Sequence, residues 1–144
     1  METPLIEMAS DLRTVSTRLV RNLRQQSSNT AYSHVDLLTM GLLHEHGSLL
    51  PSELAQLERV SAQAISQVIQ RLHADGCLVK TIDKNDKRKT ALSLTPKGNK
   101  ILDEIWEQRN QWLVAAIDSL FDEAERATIA ESLVLLKRLS EYNK

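Results

Sequence analysis

Four cations fall within six residues of one another: Lys84, Lys87, Arg88 and Lys89, in the stretch DKNDKRKTALSLTPKG that begins at Asp83. Their chemistry is attraction to anions, and an arginine held at a loop tip suits the strong negative potential of a narrow DNA minor groove. Asp86 stands among them. Its expected role is structural, as a brace that pairs with Arg88 or caps turn amides and so aims the guanidinium. Just upstream, AQAISQVIQRLHAD places Ala64, Ile65, Val68, Ile69 and Leu72 on one side of a helical wheel and Gln63, Ser66, Gln67 and Gln70 on the other. Glutamine can pair with adenine through two hydrogen bonds in the major groove, and serine can donate or accept there. Ser61 before this helix and Arg71 at its flank complete the candidate reading surface.

Charge distribution supports a nucleic-acid partner. The 144 residues carry a net charge of −1, but Arg59 to Lys100 hold nine Lys/Arg against three Asp/Glu, leaving nine against sixteen elsewhere. Arg59 to Ala74 contains no carboxylate. A near-neutral chain with one basic stretch is expected to present one basic face.

The elements that must position these residues follow from periodicity. Met8, Leu12, Val15, Leu19 and Leu23 mark an amphipathic helix over 5–24, followed by a polar connector at 25–32. Ser33 with Asp36 three residues on resembles a capping box opening a second helix, which Gly47 ends. Pro51 suits the first turn of a short third helix, although Leu50 is a poor cap. Val60-Ser61 turns into the fourth helix, stopped by Gly76. CLVKTID and TALSLT read as strands around the charged turn. Pro96 begins a long helix reaching Leu120, and the acidic FDEAE opens a last one, where the helix dipole favours anions. Two short helices joined by a tight turn, then a hairpin, predict a mainly α winged helix-turn-helix with a small β-hairpin wing. The long helices flanking it carry apolar stripes that a second copy of the chain would cover.

Length indicates one domain over 1–144, with a DNA-binding region at 30–98 and helical dimerisation regions at 1–29 and 99–144. The single cysteine, Cys77, excludes an intrachain disulfide framework and fits a reducing cytoplasm. The N-terminal residues read as neither a signal peptide nor an anchor, and no stretch is apolar enough to span a bilayer. No enzyme is expected: the chain lacks Gly-x-Ser-x-Gly, a phosphate loop, HExxH and CxxC. No cofactor or metal is expected either. His44 and His46, two apart on a helix, point to different sides and make poor joint ligands. The alternative to a DNA reader is a winged helix used only as a protein-interaction adaptor, which would lack the steep salt dependence of DNA binding.

The stretch from Leu72 to Gly98 resembles the recognition-helix end and wing of MarR-family transcriptional regulators. The residues that carry the resemblance are Leu72, Gly76, Asp86-Lys87-Arg88 and Leu94-Thr95-Pro96-Lys97-Gly98, with SELA at 52–55 and Val60-Ser61 upstream. The resemblance implies a homodimer with a base of terminal helices and two DNA-binding corners. It also implies a pseudo-palindromic operator, usually for repression, and release by a small aromatic or phenolic effector bound between the two regions. Arg13, His34 and Trp106 are candidates to line such a pocket, although core packing accounts for Trp106 equally well. The sequence departs from the family pattern at Leu50, Val79 and Cys77. Cys77 is expected to face the wing core as a small hydrophobe rather than act as a redox sensor. Zinc-responsive members would need histidine on the fifth helix, and this chain has none after His73.

Overall fold

A computed structural model describes residues 3–29 and 31–143, so the region boundary expected at residue 30 lies outside the described residues. Six helices and one hairpin follow in chain order: α1 (Thr3–Arg24), α2 (His34–His46), α3 (Pro51–Glu58), α4 (Ala62–Ala74), β1 (Leu78–Ile82), β2 (Thr90–Leu94), α5 (Pro96–Leu120) and α6 (Glu123–Ser140). The two strands pair antiparallel in the register Leu78↔Leu94, Lys80↔Leu92 and Ile82↔Thr90. A lone bridge from Leu49 to Leu92 ties the segment before α3 to the hairpin.

Local chemistry sets the helix starts. Ser33 Oγ accepts from the Asp36 amide, and the Asp36 carboxylate accepts from the Ser33 amide, closing the capping box at α2. Leu50 offers no oxygen at the start of α3. Glu53 compensates by accepting the Leu50 N–H at 2.9 Å. Ser61, Thr95 and Asp122 cap α4, α5 and α6 through their side chains. Between α3 and α4 the chain turns through Arg59 at φ 54°, a left-handed conformation that costs a non-glycine residue about 1–2 kcal/mol.

One core serves the centre of the chain. Met40, Leu43, Leu54, Ile65, Leu72, Cys77, Leu92, Leu102 and Ile105 are fully buried. They come from α2, α3, α4, the turn that follows it, the hairpin and the first three turns of α5. Neither α1 nor α6 contains a buried residue.

Gly98 marks the closest approach between elements. A Cβ there would stand 2.4 Å from the Cys77 carbonyl oxygen. Around it, the Thr95 amide donates to Cys77 O at 2.9 Å, Thr95 Oγ1 to Gly76 O and Lys97 Nζ to Asp75 O, both at 2.5 Å. The end of α4 is thereby locked to the start of α5. Gly76, at φ 75°, supplies the left-handed turn leading into β1.

Candidate nucleic-acid interface

Helix α4 presents Gln63, Ser66, Gln67 and Gln70 to solvent, while Ile65, Val68, Ile69 and Leu72 are buried beneath them. The wheel expected from the sequence is the one the fold adopts, because that apolar stripe is the only face able to close over α3 and the hairpin. Ser61 serves the helix itself, since its Oγ accepts the Ala64 N–H at 3.0 Å and starts α4.

Arg71 is tied more tightly than its flank position suggests. Its Nη2 donates to Asp36 Oδ1 at 2.6 Å; the arginine is half-exposed and the carboxylate buried. Asp36 Oδ2 meanwhile caps α2 through the Ser33 amide. One carboxylate thus links the start of α2 to the last turn of α4. Charge-assisted bonds of this kind are stronger than neutral ones, and Arg71 reaches any phosphate only from this anchored position.

The wing tip is built by two carboxylates. Asp83 Oδ2 accepts the amides of Asn85 and Asp86, and the Asp83 amide donates to Lys89 O at 2.9 Å. Asp86 takes Arg88 in two-point fashion: Oδ1 accepts Nε and Oδ2 accepts Nη2, each at 3.1 Å. Oδ1 also accepts the Arg88 amide at 3.0 Å. Side-chain and then backbone donation from Arg88 hold the Asp86 carboxyl below its usual range, and the same pairing raises the guanidinium. Lys84, Lys87, Arg88 and Lys89 are all exposed around this frame. The role of Asp83 was signalled only by an Asx-type spacing, Asp83 to Asn85 and Asp86, that a basic loop obscures.

Helix α4 and the hairpin adjoin. A groove of about 340 Å³ between them is lined by Ser66, Ile69 and Gln70 of α4 and by Lys80, Thr90 and Leu92 of the hairpin.

A second cavity, of about 500 Å³, lies between α2 and α5. His34, Leu38, Leu42, Trp106 and Arg109 are among its lining residues. His34 and Trp106, expected together, meet there. Arg13 does not: it is exposed on α1 and is not among the residues lining this cavity. Arg109 supplies the cation instead, with a buried Nε that has no hydrogen-bond partner among the described residues. Burial and then Arg24 push its guanidinium down, and burial followed by Arg24 and Arg109 lowers His34. Trp106 also stands edge-on to His44, with ring centroids 5.3 Å apart. Spacing in the sequence could not find Arg109, because α2 and α5 meet only through the fold.

Cys77 is fully buried, with its sulfur 3.5 Å from the Tyr32 hydroxyl. That contact, followed by burial, raises the phenol to about 12. Among the described residues no cluster of three His, Cys, Asp or Glu side chains could hold a metal, and no helix is long and apolar enough to cross a membrane.

Comparison with known proteins finds transcriptional regulators among the similar chains. Residues 33–89 match the model of the MarR family. The HTH-type transcriptional regulator FarR of Neisseria gonorrhoeae is 31% identical over 98 residues, covering 68% of this chain and 62% of FarR, just under two thirds of that relative. The HTH-type transcriptional repressor NicR of Pseudomonas putida is 27% identical over 128 residues, covering 89% of this chain and 78% of NicR. A solved structure from Pseudomonas aeruginosa PA01 superposes with a TM-score of 0.85 at 29% identity, covering 99% of this chain and 100% of that one.

Proposed function

We propose that this chain, a MarR-family transcriptional regulator, represses transcription in the cytoplasm by binding a pseudo-palindromic operator as a homodimer and leaves it when a small aromatic ligand binds. The observation that carries the DNA-binding half is the adjacency of two unlike surfaces, the uncharged amide face of α4 and the basic, carboxylate-braced wing. The first suits base edges in a major groove, and the second suits a neighbouring minor groove and its phosphates. In this division Gln63, Ser66, Gln67 and Gln70 choose sequence. Lys84, Lys87, Arg88 and Lys89 supply affinity.

The bare apolar surfaces of α1 and α6 support the homodimer. Leu5, Met8, Val15 and Leu19 on α1 and Leu133, Leu136 and Leu139 on α6 are exposed. A partner chain covering them would fix the two recognition helices about 34 Å apart, one turn of DNA. The helical ends at 1–29 and 99–144 then act as the dimerisation region and 30–98 as the DNA-binding region.

The cavity between α2 and α5 suits the effector. Trp106 and the leucines offer apolar walls, and the Arg109 guanidinium in the lining would receive an acidic group. A ligand held there contacts the helix whose Asp36 anchors Arg71 of α4. It can therefore prefer one placement of the recognition helix and shift the population away from DNA. NicR bears the name of a repressor, and the same outcome is proposed here.

Selection of bound fragments from genomic DNA by the purified protein tests this reading. A palindrome should emerge, and phenolic acids should release it. Gln67→Ala should weaken binding to the selected site by about 1–3 kcal/mol with little change on mixed-sequence DNA. Recovery of no palindrome overturns the proposal.

A further inference from the structure

Alternation along β1 places Leu78, Lys80 and Ile82 on one face of the hairpin, opposite Leu94, Leu92 and Thr90. Leu78 and Leu92 on that face are buried, so it is the face turned toward the helices. Lys80 is therefore a lysine at an inward register position, where an apolar residue is the ordinary choice. It stays exposed, lining a groove between the hairpin and α4. The groove is lined by Lys80 and Thr90 of the hairpin, Ser66 and Gln70 of α4, and Ser52 of α3. Its floor is Ile65, Ile69 and Leu92, over which the lysine stem can lie with its ammonium at the opening.

The position has a consequence for bound DNA. A helix in the major groove and a wing tip in the adjacent minor groove are separated by one sugar–phosphate strand. That strand must cross the surface between α4 and the hairpin, which is this groove. Resting on the DNA-binding reading above, we infer that the groove is a phosphate seat, with Lys80 as its cation and the Ser52 and Thr90 hydroxyls as neutral donors. The occupant is a backbone phosphate of the DNA strand itself. Lys80 differs from the wing-tip cations in standing on a rigid strand paired to Leu92 rather than on a loop. The seat thereby sets the depth at which α4 enters the major groove.

The test is the salt dependence of binding by the full chain, measured by fluorescence anisotropy on two duplexes, the genomically selected operator and a mixed-sequence control. Lys80→Gln should weaken both by the same factor and reduce the slope of log K against log salt by about 0.9 for each protomer bound. Each lost contact makes affinity fall roughly 3.5-fold less between about 50 and 200 mM salt. Lys80→Arg should keep the wild-type slope. Should Lys80→Gln lower the melting temperature, Lys80→Met, which retains an apolar stem over Leu92, reads the same slope. An unchanged slope in a folded variant overturns the phosphate seat while leaving DNA binding intact. A loss confined to the operator overturns it too, since Lys80 would then be reading a base. Wild-type protein that binds neither duplex overturns the DNA-binding reading, and the seat with it.

Discussion

The centre of the chain and its two helical ends solve the same problem differently. From Asp36 to Ile105 the buried side chains of five elements close on one another, with the Arg71–Asp36 pair and the Thr95, Lys97 and Gly98 contacts pinning α4 in place. Helices α1 and α6 are as well patterned, yet none of their residues is fully buried within one chain, and they expose leucine, valine and methionine along their lengths. An isolated helix draws most of its stability from packing an apolar face. The centre therefore holds its shape by itself, and the ends are proposed to owe theirs to a second copy. The segment proposed to touch DNA closes its core within one chain, and the segment proposed to set the spacing of two such segments leaves its apolar face exposed.

The largest expected effect breaks the ends without touching the centre. Leu133→Asp combined with Leu136→Asp should sediment as a monomer and lose operator affinity by about a hundredfold or more, since two linked half-sites become two independent ones. Persistence of a dimer would remove the contrast drawn above. A smaller effect sharpens the centre. Gly98→Ala forces a methyl toward the Cys77 carbonyl, a backbone atom that cannot swing aside. It should destabilise the protein by about 1–3 kcal/mol in chemical denaturation, without converting dimer to monomer. The smallest effect concerns Glu58, whose carboxylate accepts Thr39 Oγ1 at 2.9 Å. Burial raises this carboxyl, and the Thr39 bond only partly opposes the shift. Folding thus favours the neutral form. The stability Glu58 contributes is complete below its ordinary value of 4.5 and is lost as pH rises through the raised one. Glu58→Gln should accordingly melt higher than wild type at neutral pH, with the gain vanishing below about pH 4. A gain independent of pH would point to packing instead.

Much of the fold was legible because its punctuation is local. Ser33 with Asp36, Gly47, Pro51, Gly76 and Pro96 act on neighbours a few residues away, and the helices begin or end within a residue or two of them. The strands are shorter than their apolar runs suggest. Cys77 and Asp83 fall outside β1, although the Thr95 amide donating to Cys77 O and the Asp83 amide donating to Lys89 O continue its pairing register by one step at each end. The polar face of α4 and the Asp86–Arg88 pair were readable from period and proximity. The Arg71–Asp36 link and the place of Arg109 were not, since each joins residues on different helices.

By itself the sequence determined which segments are helix or strand, which face of each is apolar, and where positive charge gathers. These depend on interactions spanning two to four residues, whose geometry the backbone fixes in advance. Only the tertiary structure decided which charges are spent on the fold and which stay available. Arg71 is held by a carboxylate 35 positions away, Arg109 replaces Arg13 beside Trp106, and Lys80 stands at the mouth of a groove. The physical reason is that an ion pair between helices or a crevice exists only after distant elements have packed, and the packing answers to the whole core rather than to any one stretch.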